Sequence, residues 1–149
     1  MTPNQKLSEA LAVLATIDPA SQAASTVSTG WLDTKQYLAL MAIVDVGVFG
    51  ASATVDANIQ QATDGTGTGA KLVTGKSITQ LLAAGGNNRQ VEINIKPDEL
   101  DVANSFEWIR LNVVVGTAAT QTSAIVLGGF PRYADAGGLF NQVGVAQIL

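Results

Sequence analysis

Between Tyr37 and Thr63 the chain carries two consecutive strand patterns that leave room for little besides a sheet fold. Ala53, Val55, Ala57 and Ile59 alternate with Ser52, Thr54, Asp56, Asn58 and Gln60, the period-2 signature of a sheet with one buried and one wet face. The stretch before it is apolar in both registers, with Tyr37, Ala39, Met41 and Ile43 on one side and Leu38, Leu40, Ala42 and Val44 on the other. A strand of that kind is expected to be covered on both faces. Tyr37 to Val46 is therefore predicted to be a central strand and one of the most buried segments; exposure along one face would instead mark it as a docking surface. Gly47 to Gly50 joins the two strands.

Further strands follow the same logic. Gln90 to Lys96 places Val91, Ile93 and Ile95 inward and Glu92, Asn94 and Lys96 outward, and Pro97 to Asp101 closes it in a tight loop. Phe106 to Val115 puts Ile109, Leu111, Val113 and Val115 on one face and Trp108, Arg110, Asn112 and Val114 on the other. Ser123 to Leu127 is a short apolar strand ended by Gly128-Gly129, and Val27 opens a strand after a small, polar linker from Ser21. The glycine-rich run Asp64 to Gly69 reads as a mobile loop. Lys71 to Val73 and Ser77 to Leu82 are two short ordered pieces, the second either a helical turn or a strand.

Helix signals are confined to the N-terminus. Thr2 as N-cap, Pro3 at the first helical position and Gln5 at the capping-box position precede Leu7, Ala10, Leu11 and Leu14 at helical spacing, and Asp18-Pro19 ends the pattern. The expected division is a helix or arm with its linker over residues 1–24 and a β-sandwich with an irregular tail over 25–149. Strands separated by Gly, Asn and Pro turns predict an all-β, jelly-roll-like β-sandwich.

The 149 residues include neither cysteine nor histidine. That excludes disulfides, thiolate chemistry, the common zinc sites and the Ser-His-Asp triad, and it removes the side chain best suited to proton transfer near neutral pH. The expectation is a protein that is not an enzyme and takes neither cofactor nor metal. Charged residues make up 13% of the chain, about half the usual share of roughly a quarter, so the surface is built from Thr, Ser, Asn, Gln, Gly and Ala and suits association. Eight Lys and Arg against a net charge of −4, with no basic cluster, argue against nucleic acid as a partner. The longest apolar run, Leu38 to Val44, falls far short of the ~20 residues of a membrane span. No basic segment precedes the apolar N-terminal residues, and the expectation is synthesis in the cytoplasm with no membrane partner.

Two motifs imitate chemistry. Ala70 to Ser77 (AKLVTGKS) is a relaxed P-loop, but a phosphate cradle needs a buried strand before it and a helix after it; Gly and Thr precede it, and Gly85-Gly86 leaves about two turns behind it. Asp98, Glu99 and Asp101 form an acidic cluster whose spacing matches no EF-hand. Association offers better candidates. Trp108, Arg110 and Phe106 combine aromatic and guanidinium groups on one strand, the usual make-up of an interaction hot spot unless another element covers them. Trp31 stands in a turn at a sandwich end or at an interface, and the stripe Leu7, Leu11 and Leu14 packs on its own domain or reaches a neighbour.

Several blocks together resemble a group of small virion proteins of tailed phages and prophages. They are Thr26 to Trp31, Leu40 to Gly47, Ala53 to Ala57 with Gln60 to Asp64, Glu99 to Val102, Ile109 to Leu111, Val115 to Ala118, and Arg132 to Ala134. The resemblance spans roughly Leu7 to the C-terminus. It implies a capsid decoration or cement protein of the virion, a jelly-roll-like homo-oligomer, dimeric or trimeric, that clamps the major capsid protein from the outer capsid surface. The family offers no catalytic residues. Head-tail joining or tail structural proteins are the alternative, and a carbohydrate-binding jelly-roll module is a second one, disfavoured because the eight Phe, Trp and Tyr are needed inside.

Overall fold

The computed structural model describes residues 4–133 and 141–149. Its strands are β1 (Leu11–Gln22), β2 (Ser25–Ser28), β3 (Leu32–Asp33), β4 (Tyr37–Val46), β5 (Thr54–Ala62), β6 (Lys71–Ser77), β7 (Leu81–Leu82), β8 (Arg89–Ile95), β9 (Trp108–Gly116) and β10 (Thr120–Pro131). They form two antiparallel sheets, ordered β1-β10-β4-β8 and β2-β9-β5-β6, with β3 added to β9 and β7 to β5. Setting aside the two-residue strands β3 and β7, the first strand pairs with the last, the second with the next to last, the third with the sixth, and the fourth with the fifth. That nesting is one long ribbon rolled into two sheets. The fold is a jelly-roll-like β-sandwich.

The core fills the space between the sheets in layers set by register. Ala15, Val126, Ala42 and Ile93 lie abreast in the first sheet, and Ile17, Ala124, Val44 and Val91 form the next layer. Facing them, Leu111 lies beside Ile59, and Val113 stands between Val27 and Ala57. Ile59, Ile95, Ile109, Leu111, Val44 and Val126 are fully buried. The predicted inward sets of 53–59, 91–95 and 109–115 follow this pattern.

Four expectations need correction. The helix predicted from Leu7 to Leu14 holds only from Leu7 to Ala10, capped by Lys6, whose backbone N–H donates to Glu9 Oε2 at 3.1 Å; the predicted cap residues Thr2 and Pro3 lie outside the described residues. From Leu11 the chain is strand. A bulge between Val13 and Ala15 shifts the pairing with β10, so the inward residues Ala12 and Ala15 are three apart, one helix-like step within a sheet, before Ile17 resumes the alternation. A helix of a few residues has too few hydrogen bonds to compete with a ladder of this length.

The second correction concerns Asp64 to Gly69, which is a hydrogen-bonded turn instead of a mobile loop, held by Asp64 (below). Third, Lys71 to Ser77 is one strand, and Gly75 (φ 74°) sits where its pairing with β5 is irregular; the segment after it, open to either reading, resolves into β7 and a 3-10 turn, Ala83–Gly85.

The fourth is the doubly apolar strand. β4 is central, between β10 and β8, and Leu40, Ala42, Val44 and Val46 are at most 2% exposed. The other register is not covered by the sandwich beyond its first residue: Tyr37 is buried, but Ala39, Met41 and Ile43 are only half-buried, while Leu38, of the inward register, is exposed at the start of the strand. The sandwich has two layers, and no third stands over this face among the described residues.

Candidate interaction surfaces

The aromatic candidates gather on the outer face of the second sheet, where β9 exposes alternate residues. Arg110 donates from Nε to Gln60 Oε1 at 2.8 Å, and its guanidinium lies 4.7 Å from the centre of the Trp31 ring, a cation–π geometry. The turn after β5 closes over this cluster. Gly65, Gly67 and Gly69 lie against Trp108, Trp31 and Phe106 in turn: a Cβ at each would stand 3.1, 2.6 and 3.5 Å from the respective ring. Gly67 also has φ +89°, a conformation L side chains rarely adopt. Alternate glycines therefore let the backbone lie flat on three aromatic rings.

Asp64 latches this turn. Its Oδ1 accepts from the Thr66 N–H at 2.9 Å, the Thr66 hydroxyl at 2.7 Å and the Thr68 N–H at 3.1 Å. Those bonds, from Thr68 and then Thr66, hold its carboxyl far below the usual carboxylate range. Phe106 is buried, with the Lys71 ammonium 4.0 Å from its ring centre. Further along the same face, Ser28 donates to Asn112 Oδ1 at 2.6 Å and Asn112 to Asn58 Oδ1 at 3.0 Å, a polar ladder across three strands. Trp31, Phe106, Trp108 and Arg110 are thus brought together, and each is engaged within the chain.

Leu7, in the short helix, and Leu11 and Leu14, in β1 of the opposite sheet, do not share one face. Leu7 is 60% exposed; Leu14, at the bulge, packs on the core beside Gly128, where a Cβ would collide with Tyr37 and Leu14. Leu11 lines a groove of about 380 Å³ with Leu7, Val13, Leu127, Val145 and Ile148. The far wall of that groove is the tail, fixed to the free edge of β1: the Gln142 N–H donates to the Val13 carbonyl at 2.7 Å, and the Val13 N–H to Asn141 Oδ1 at 2.7 Å. Of the apolar residues in the tail sequence, Leu139 and Phe140 lie outside the described residues.

From this groove the outer face of the β1-β10-β4-β8 sheet runs on as an aliphatic surface. Val13, Leu127 and Met41 lie abreast, followed by Ile125 and Ile43, all half-buried. The second apolar register of β4 pointed to Met41 and Ile43. Ile125, Leu127 and Val13 join them only through the pairing register, which no single segment displays.

No family model matches this sequence, and no curated protein matches it. Solved structures do. A chain of the T13 IBDV viral particle superposes with a TM-score of 0.52 at 14% identity over 81% of this chain, and one of infectious bursal disease virus strain Gx with 0.52 at 12% over 83%. The SPBc2 prophage-derived protein YomS covers 79% of this chain and 93% of its own at 11% identity, with a TM-score of 0.43. What the two chains with TM-scores of 0.52 share with this one is the jelly-roll fold. This chain spans about a third of the length of the two IBDV chains.

The residues that imitated chemistry are committed to structure. Lys76, the P-loop lysine, lies in β6 and donates to the Asn94 carbonyl at 2.7 Å and to Glu99 at 2.9 Å, bridging the edges of the two sheets at β6 and β8. Asp101 pairs with Lys71 and accepts from Asn104. Both carboxyls are lowered below the usual range, each chiefly by its lysine. Among the described residues no three acidic groups converge as a metal site, and no helix is long and apolar enough to cross a membrane.

Proposed function

We propose that this chain is a structural virion protein of a tailed phage, of the decoration or cement type, which binds the major capsid protein from the outer surface of the shell and has no chemistry of its own. The observation that carries the reading is the aliphatic outer face of the β1-β10-β4-β8 sheet. A half-buried aliphatic sheet face of that composition suits a protein that works inside an assembly, where a further copy or a shell subunit covers it. Two lines support it. The two superposed chains with TM-scores above one half come from virus particles, and the sequence blocks resemble small virion proteins of tailed phages. The charge-poor surface, 13% charged residues, fits joints between protein subunits better than a freely diffusing enzyme.

The experiment is binding to shells. Purified protein mixed with expanded capsids of its phage should co-sediment at saturating stoichiometry, and quantitative mass spectrometry of virions should count many copies per particle. A few copies at a single vertex would assign it to the head-tail joint or the tail, and absence from virions would overturn the reading.

A further inference from the structure

We infer that the outer face of the β1-β10-β4-β8 sheet pairs with the same face of a second copy, the two sheets running antiparallel across a two-fold axis. The inference deepens the proposed virion role by naming the surface through which copies associate, and it rests on that role only for its setting.

Composition along the face argues for it. The middle is aliphatic, with Val13, Met41, Ile43, Ile125 and Leu127 in adjacent register. One end is acidic. Asp45 lies beside Gln90 and Ser123, Glu92 beside Ile43, and Asp18, which accepts from Thr16 at 3.1 Å, lines the same depression as Ile43, Asp45 and Ile125. None of the three is ion-paired: the ion pairs among the described residues are Lys35–Glu107, Lys71–Asp101 and Lys76–Glu99. The other end carries the opposite sign. Lys96 follows Ile95, the partner of Leu40, and so continues onto the outer face; Arg132 follows Pro131, the partner of Tyr37, and both are exposed. Asp98 stands in the turn beyond Lys96, Glu99 is taken by Lys76, and Lys6 and Glu9 nearby cancel, so that among the described residues Lys96 and Arg132 against Asp98 leave one positive charge in excess at that end.

This polarity selects the geometry. A two-fold contact presents one patch to itself. With the axis along the strands, Asp18, Asp45 and Glu92 would meet their own copies; with the axis across the strands, each acidic end meets a basic one and aliphatic meets aliphatic. The size is adequate. Four strands at ~4.8 Å spacing and about ten residues of ~3.3 Å give a face of roughly 600 Å², somewhat below the ~800 Å² per partner of a standard interface. The groove beside the tail enlarges it on the β1 side. The outer face of the second sheet exposes Leu72 and Leu82 apart from one another, beside Gln60 and Thr54, while its other polar groups bond to one another and its aromatics lie under the 64–69 turn.

Analytical ultracentrifugation of the full chain, without shells, tests the pairing. The wild type should sediment as two 15.3 kDa chains at micromolar concentration. Ile43→Lys with Ile125→Lys should weaken association at least about a hundredfold, as expected for charges placed at an aliphatic contact, while circular dichroism and the thermal transition stay those of a folded sandwich. Charge reversal serves as a second reading that leaves the aliphatic residues untouched: Asp45→Lys and Lys96→Glu should each weaken association several-fold at low salt and restore it when combined. A wild type that stays monomeric at about 100 μM, well above the micromolar range of weak pairs, overturns the inference, as does association that ignores both sets of substitutions. If the face variants lose shell binding while the wild type is monomeric, the face belongs to the shell protein and the virion role stands without the dimer. If the protein dimerises through this face but binds no shell, the inference stands and the virion role falls.

Discussion

The outer faces of the two sheets are built from opposite materials. On the β2-β9-β5-β6 side, Ser28, Asn112 and Asn58 bond to each other across strands, Arg110 is held between Gln60 and Trp31, and the glycine turn lies over the aromatics. On the β1-β10-β4-β8 side, aliphatic side chains stand half-buried with no further layer above them among the described residues. Polar groups that satisfy each other ask for no partner, whereas an aliphatic face gains by removal from water at about 25 cal/mol per Å². The difference teaches that aromatic and arginine residues stacked and hydrogen-bonded within the chain have fewer free groups to offer a partner than a plain patch of Val, Ile, Leu and Met.

Both faces rest on one core, so the strongest perturbation lies beneath them. Leu111→Ala, between the sheets, should cost about 2–5 kcal/mol in urea denaturation and disturb both faces together; a loss below about 1 kcal/mol would mean that the layers are less tightly packed than described. Gly67→Ala comes next. Left-handed φ and the Trp31 ring at 2.6 Å should together cost about 1–3 kcal/mol, with a red shift of tryptophan emission and no change in self-association. An altered association would show that the two faces communicate.

Asn112→Ala should cost about 1–2 kcal/mol by stranding Ser28 and Asn58, checked by thermal unfolding with Asn112→Asp for comparison. Acid should act on one side first. The carboxyl of Asp64 is lowered in the folded state, so the stability it contributes is present above the ordinary carboxylate range and is lost as pH falls through its folded value. Tryptophan emission should accordingly hold steady from neutrality to about pH 4, the ordinary carboxylate value, and change only below it; in Asp64→Asn that acid-dependent change should vanish. Ile43→Thr should move monomer stability least, within about 0.5 kcal/mol, while lowering self-association. A large destabilisation there would place Ile43 in the core and remove the contrast between the faces.

Much of the sandwich was legible because alternation survives wherever a strand is regular: 54–60, 91–95 and 109–115 declare their inward residues directly. Irregular strands hide theirs. The bulge at Leu14 puts one three-residue step into the inward series of β1, and Gly128-Gly129 reads as a terminator although β10 runs on to Pro131, since glycine there leaves room for Tyr37 and Leu14 above the strand. The turn at 64–69 misleads for a related reason. Its glycines answer to rings about forty residues away in sequence, and only the fold brings the two together. The candidate surfaces divide in the same way: Trp31, Trp108 and Arg110 are conspicuous by residue type, while the aliphatic face is assembled from Val13, Met41, Ile43, Ile125 and Leu127 on three strands.

The nesting of first strand with last has a consequence for synthesis. β1 pairs Leu11 with Gly129 and Gln22 with Thr120, so the N-terminal strand emerges from the ribosome long before its partner exists. Such long-range closure is slow and leaves edges open meanwhile. The same order carries a safeguard. Ile125 and Leu127 sit on β10, between β1 and β4, and the aliphatic face is therefore absent from every nascent chain that lacks β10. Chains still being made, or broken off before Thr120, cannot present the surface through which finished copies associate, so that assembly by this route is restricted to chains that have already closed their sandwich.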